Sequence, residues 1–202
     1  MSVRVDAKYQ MPSGSKDVSG KSVPPREEND ALATTVRAAQ AGDIDAFKSL
    51  YQTHINMVYG LCHRLCADRS QAEDAAQEVF VQVWQKIQSF EHQSKFSTWL
   101  HSVASHVCVS FIRKQKGWWQ RMFSISTEVG EIAQQEDTGH LSADSIEGLI
   151  AGLPQRTRLV FVLHGIEGYR HEQIASMLDI SVNTSKVQFH RARTLLEAAL
   201  NE

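Results

Sequence analysis

The sequence predicts an all-α protein of two small helical domains joined by a flexible acidic linker. Apolar residues recur at helical spacing through most of the chain, and no run alternates convincingly with period two. None of the four prolines lies between Arg26 and Leu153, so nothing there forbids long helices. With 202 residues, 42% hydrophobic and 22% charged, the chain can build a core without disulfide or metal staples. Fibrous, collagen-like and Pro-rich classes are excluded.

Residues 1–30 carry five bases and five acids among Ser, Gly and the paired Pro24 and Pro25, with no apolar periodicity to bury, and read as a disordered arm. No amino-terminal apolar stretch suits a secretory signal, and three cysteines give no disulfide framework, so the expected compartment is the cytoplasm. Residues 31–40 read as a short helix closed by Gly42. Asp43 then caps a longer helix to about Cys66, with Phe47, Leu50, Tyr51, Ile55, Val58, Leu61, Cys62 and Leu65 on its apolar face. Ser70 and Glu73 have capping-box spacing and open a third helix, whose apolar stripe is Ala72, Ala75, Ala76, Val79, Phe80, Val83 and Ile87. Its other face carries Glu73, Asp74, Gln77, Glu78 and Gln82. Asp74 and Glu78 stack like charges four residues apart, which a partner would explain and which a solvated face near a helix amino terminus would also tolerate.

A fourth helix is expected from Phe96 to about Lys116. Its stretch to Ile112 lacks formal charge, but His and Ser punctuate it, and it reads as a buried helix rather than a membrane span. It ends in Arg113, Lys114 and Lys116, followed by Trp118 and Trp119. Cations that follow phosphates, interleaved with rings that stack on unpaired bases, suit single-strand binding; a basic helix end answering its own dipole is the plainer alternative. Residues 117–141 are acidic, Gly-containing and weakly periodic, a linker between domains at 31–116 and 142–202. The net charge of −2 averages over a strong alternation. Residues 95–121 hold five bases and no acid, residues 122–149 six acids and no base, and residues 156–200 six bases against four acids. Two basic blocks flanking an acidic connector suggest two nucleic-acid-facing surfaces.

The last fifty residues carry the most specific local signal. A short helix His171–Leu178, a turn Asp179-Ile180-Ser181 and a long helix from Val182 have helix-turn-helix spacing. Ala175 is small where helices cross, Ile180 plugs the turn, and Ser181 caps the second helix. Val182, Phe189, Ala192 and Leu196 form its inward stripe. Asn183, Thr184, Val187, Gln188 and Arg191 are left outward, flanked by Lys186 and Arg193. Asn and Gln suit adenine, Val187 a thymine methyl, and the cations phosphates.

These residues carry a resemblance. Leu153-Pro154, Arg158, Val160-Phe161, Glu167-Gly168, Glu172-Gln173-Ile174-Ala175, Ser181-Val182, Thr184, Lys186 and His190-Arg191-Ala192-Arg193 resemble the carboxyl-terminal domain of extracytoplasmic-function (ECF) sigma factors of the sigma-70 superfamily. Residues 72–80 with Trp84 resemble that family's core-polymerase-binding helix, and Phe96-Ser97-Thr98-Trp99-Leu100 its promoter-melting segment. The resemblance implies a monomeric factor, not an enzyme, that binds core RNA polymerase and promoter DNA, with no cofactor or metal. It places Asp74, Gln77, Glu78, Phe80 and Trp84 against polymerase. It places Phe90, Lys95, Phe96, Ser97, Thr98, Trp99, His106, Arg113 and Lys114 at the minus-ten element. Arg170, Ser181, Asn183, Thr184, Lys186, Val187, Gln188, Arg191 and Arg193 fall at the minus-thirty-five element. An anti-sigma factor, often membrane-anchored in the family, is a further implied partner. Ser105, His106 and Ser110 stand where many members have Arg, Asn and Asp. Gln188 replaces a common Arg, and Arg170 a Ser or Thr cap, so an altered promoter preference is expected.

The rival readings are a helix-turn-helix regulator that acts without polymerase and an interaction protein with no DNA function. No Gly-rich phosphate loop, nucleophile elbow or metal triad favours an enzyme. Cys62, His63, Cys66, His106 and Cys108 lack finger-like spacing, and core packing is the expected role of the cysteines.

Overall fold

The computed structural model describes residues 25–114 and 145–200, all of whose regular elements are helical. The expected linker and most of the expected arm lie outside the described residues. The chain divides into two compact units, residues 1–50 and 51–202.

In the first unit, α1 (Pro25–Gln40) begins on a proline, whose fixed φ and missing N–H suit a first turn. Six residues assigned to the arm are therefore helical, which corrects its boundary at 30. The turn that follows puts Gly42 at φ +94°, a conformation open to glycine. Asp43 Oδ1 then accepts from the backbone N–H groups of Asp45 (2.9 Å) and Ala46 (3.0 Å), starting α2 (Ile44–Cys66) as expected.

In the second unit α2 buries Val58, Leu61, Cys62 and Leu65. The third helix, α3 (Arg69–Lys86), does not open on Ser70. Asp68 holds the extended cap conformation, and its carboxylate accepts from Gln71 N–H at 2.7 Å. Glu73 pairs instead with Arg69 at 3.0 Å. An ionised acceptor two residues upstream outcompetes the serine hydroxyl. The expected stripe from Ala72 to Val83 is buried, with Ile87 in a 3₁₀ turn (Ile87–Ser89) beyond it. This face packs on α4 (Phe96–Lys114), which buries Phe96, Leu100, Ala104, Cys108, Val109 and Ile112.

After the undescribed segment, Ser145 caps α5 (Ile146–Ala151) by accepting from Gly148 N–H at 3.1 Å. Pro154 precedes α6 (Gln155–Phe161), which widens into a π-helical turn (Val162–Ile166). Gly165 sits in that turn, where a Cβ would lie 3.3 Å from a carbon of the Phe189 ring. Next come α7 (His171–Leu178), with the bounds that spacing predicts, and α8 (Val182–Ala199), with the predicted start. Asp179 takes the left-handed conformation between them (φ 56°). Ile150, Leu159, Val162, Leu163, Ile174, Leu178 and Ala192 form the core here.

The helices before and after the undescribed segment meet within this unit. Arg158, 7% exposed, donates from Nη1 to the carbonyls of Ala151 (3.0 Å) and Leu153 (3.1 Å). Its Nη2 and Nε donate to Cys66 (3.0 Å) and Leu65 (3.3 Å) at the end of α2. One guanidinium thereby answers the partial negative charge at the ends of two helices.

Candidate nucleic-acid interface

On α3 the buried alanine stripe turns the opposite side outward, and Asp74, Gln77, Val81 and Trp84 follow one another at helical intervals. Trp84 is 41% and Val81 50% exposed. Val81 was not among the expected contacts, although its place three residues before Trp84 is the signal that could have found it. Glu78 is half-buried, and its carboxylate accepts from Gln82 Nε2 at 3.2 Å. Phe80 corrects the expectation that it meets a partner. It is 6% exposed and set edge-on to Tyr51 at 4.6 Å between ring centroids, because it belongs to the apolar stripe.

The α3–α4 junction gathers an aromatic cluster. Phe90 and Phe96 cross at 5.6 Å, and Trp99 lies 5.4 Å from Phe90 and 5.7 Å from Phe96. Both phenylalanines are buried, so they support the loop rather than present a stacking surface, a second correction. Lys95, Thr98, His106 and Lys114 are exposed, with Ser97 and Trp99 half-buried. His106 Nδ1 donates to Ser102 O at 2.8 Å. Arg113 is half-buried and donates to Met177 O at 3.0 Å. Ser105 is fully buried and donates to His101 O at 3.0 Å.

His54 sits behind this cluster, 5.4 Å from the Phe96 ring, and its Nε2 has no hydrogen-bond partner among the described residues. Burial holds its imidazole below the ordinary value.

In the helix-turn-helix, Ser181 Oγ accepts from Thr184 N–H at 2.9 Å, the expected cap. Arg170 opens α7 without a side-chain acceptor. Its own N–H instead donates to Gln173 Oε1 at 2.9 Å, the half of a capping box that needs no Ser or Thr. Asn183, Lys186, Val187, Arg191 and Arg193 are exposed, as the spacing predicts, and Thr184 is half-buried. Arg193 also pairs with Glu197 at 3.3 Å. Gln188 departs from expectation: half-buried, it accepts from the buried Thr157 hydroxyl at 2.8 Å and so serves α6 packing. Ser185, absent from the expected inward stripe, is fully buried and bonds His171 Nδ1 at 2.9 Å. His171 stacks on His164 at 4.0 Å. Burial first, then the neighbouring His164 and Lys186, hold His171 below the ordinary value.

The three cysteines lie in the core, with Cys66 Sγ and Cys108 Sγ 3.8 Å apart. Hydrogen bonds from Cys62 and Cys66, together with burial, push the Cys108 thiol far up, so it stays protonated and inert.

One half thus exposes an acidic, tryptophan-bearing helix face, and the other carries a capped helix-turn-helix. The sigma-70 region 2 family matches residues 50–117, and the sigma-70 region 4 family residues 143–196. The ECF RNA polymerase sigma factor SigW of Bacillus subtilis is 30% identical over 178 residues, covering 83% of this chain and 95% of the relative. SigX of the same organism, also an ECF RNA polymerase sigma factor, is 30% identical over 159 residues, covering 75% and 82%. Among solved structures, the sigma factor RpoE in complex with the anti-sigma factor NepR from Bartonella quintana aligns over 78% of this chain and 98% of its own, at 24% identity and a TM-score of 0.49. The chain belongs to the ECF RNA polymerase sigma factors of the sigma-70 family.

Proposed function

We propose that this sigma factor binds core RNA polymerase through α3 and directs promoter-specific initiation, with α8 on the minus-thirty-five element and the α3–α4 junction at the minus-ten element. The observation that carries the reading is the single exposed stripe of α3, Asp74, Gln77, Val81 and Trp84, where carboxylate and apolar groups stand on one face. An exposed tryptophan on the same helix face as an exposed carboxylate marks a protein-docking face. The stacked charges of Asp74 and Glu78 then face a cationic partner surface.

For promoter opening, Lys95, Arg113 and Lys114 supply cations, and Ser97, Thr98, Trp99 and His106 the polar and aromatic contacts to an extruded base. Unstacking that base costs a few kcal/mol, which these contacts and those of polymerase offset. On α8, Asn183, Val187 and Arg191 reach base edges, while Lys186 and Arg193 hold phosphates and Ser181 and Thr184 fix the helix start; Arg170 lies at the start of α7 beside them. The factor acts by binding, with no catalytic residue and no cofactor, as a cytoplasmic monomer when free. An anti-sigma factor completes its set of partners.

The test is co-elution of the purified protein with bacterial core RNA polymerase, followed by transcription from a promoter library. Co-elution with new promoter-specific transcripts is expected. Tight duplex binding without core binding would instead point to a conventional helix-turn-helix regulator.

A further inference from the structure

Two histidines stack at the start of the helix-turn-helix. The π-helical turn Val162–Ile166 carries His164 over His171, the first residue of α7, with ring centroids 4.0 Å apart. Widened turns of this kind are frequent at functional sites. His164 Nδ1 donates to Tyr169 O at 2.7 Å, and a carbonyl can only accept, so a second proton on this ring goes to Nε2. His171 Nδ1 shares a hydrogen bond of 2.9 Å with Ser185 Oγ, a hydroxyl that serves either protonation state. Phe189 of α8 stands nearly at right angles to His164 at 4.6 Å and lies 6.0 Å from His171. Both histidines are half-buried, so neither is sealed from solvent.

The surroundings of the pair favour an anion. Burial, then His164, then Lys186 of α8 hold His171 below its ordinary value, against the opposing Glu172 of α7. Arg170, next to His171, and His190, next to Phe189, are exposed. The helix α4 packs on α7 and brings Arg113 to Met177 O, while its His101 and His106 meet the Tyr169 ring. The first turn of α7 adds the partial positive charge of a helix amino terminus. Two imidazolium rings 4.0 Å apart repel, so the stack accepts one proton far more readily than two.

We infer that His164 and His171 form a titratable contact to a phosphodiester of the minus-thirty-five duplex: the stacked rings take up one proton from solvent when the phosphate arrives, so promoter affinity rises as pH falls. This contact rests on the minus-thirty-five reading above. Arg170 and Lys186, both placed at that element, adjoin His171 and its partner Ser185 in sequence, so a phosphate held by them is brought to the pair. An anion beside the rings stabilises their charged form, and the proton uptake it causes is linked to binding. Lys or Arg in these places would hold phosphate at every physiological pH, whereas histidines make the contact conditional on protons.

The experiment compares holoenzyme assembled from the full chain with holoenzymes carrying His164→Asn, His171→Asn and His171→Lys, on a promoter duplex that the library test returns. Asn keeps a hydrogen-bonding group near the Nδ1 position and cannot be charged, whereas Lys is charged throughout. Affinity is measured at pH 6 and pH 8 and at two salt concentrations, with helical circular dichroism of each free chain as the check on folding. The parent should bind about fivefold more tightly at pH 6, and its slope of log affinity against log salt should be steeper there by about one. Each Asn variant should flatten the pH dependence, and His171→Lys should hold the tighter affinity at both pH values. A merely structural role would instead weaken binding alike at both. Should His164→Asn fail to fold, His171→Asn and His171→Lys decide. Equal parent affinity at the two pH values overturns the contact, and so does a pH dependence retained in a folded His171→Asn protein, which would assign the titration to another histidine. If no holoenzyme forms, or the library returns no promoter, the promoter reading itself fails and the contact falls with it.

Discussion

At the scale of single residues, buried charge and buried imidazole set how the protein responds to acid. His54 has a folded-state value below its ordinary 6.5 because burial penalises the charged ring. Between the two values the unfolded chain binds a proton that the folded chain refuses, so stability falls as pH drops below about 6.5. Urea unfolding at pH 7.5 and 5.5 should show this loss, and His54→Phe, which keeps a ring against Phe96, should show less of it. An equal loss in the variant would place the effect elsewhere, with His171 the next group to test. Glu167 titrates lower. Burial alone would raise its carboxyl, but the bonds from His101 and Arg64 outweigh burial and hold it below 4.5. Its contribution is present above that value and is lost as pH falls through the lowered one. Arg158 has no counterpart in sequence patterning, since its four carbonyl acceptors come from two distant parts of the chain. Arg158→Ala should cost on the order of 3 kcal/mol, because buried carbonyls lose a charged donor; a variant that melts like the parent would refute that account.

At the scale of elements, caps and stripes decide where helices start and which side they show. Ser181→Ala should lower stability by about 1 kcal/mol by freeing the Thr184 N–H at the start of α8, measurable as a fall in Tm. Gln188→Arg puts a longer cation where an acceptor meets the buried Thr157 hydroxyl, so it should destabilise the α6–α8 contact rather than retune base preference alone. The α7–α8 bounds were legible because apolar spacing, a serine cap and a tight turn agree there. The start of α3 was not, because two capping signals stand two residues apart and only geometry chooses Asp68 over Ser70. The same limit explains Phe80, Phe90 and Phe96. An aromatic residue beside a motif reads equally as contact or as core until its neighbours are placed, and all three are core.

At the scale of the whole molecule, function should divide by surface. Charge reversal at Asp74 and Glu78 together is expected to weaken core binding at least tenfold while circular dichroism stays unchanged, since Asp74 is exposed and Glu78 is only half-buried. Retained affinity in that double variant would remove α3 from the interface. On DNA, Lys186→Ala should weaken all promoters alike and reduce the slope of log affinity against log salt by about one, the mark of a lost phosphate contact. Asn183→Ala should instead change which upstream sequences a promoter library selects. If the library returns the same sequences, α8 enters the groove in another register.

The sequence by itself determined the helical class, the helix-turn-helix and the exposed acidic face of α3, because each is written in local spacing that a helix converts directly into a face. Only the tertiary structure decided which aromatics are buried, that Gln188 serves packing, and that Arg64, His101 and Glu167 converge. Those residues are 66 to 103 positions apart in pairing. No local period links such distant residues; the packing of helices against one another brings them together.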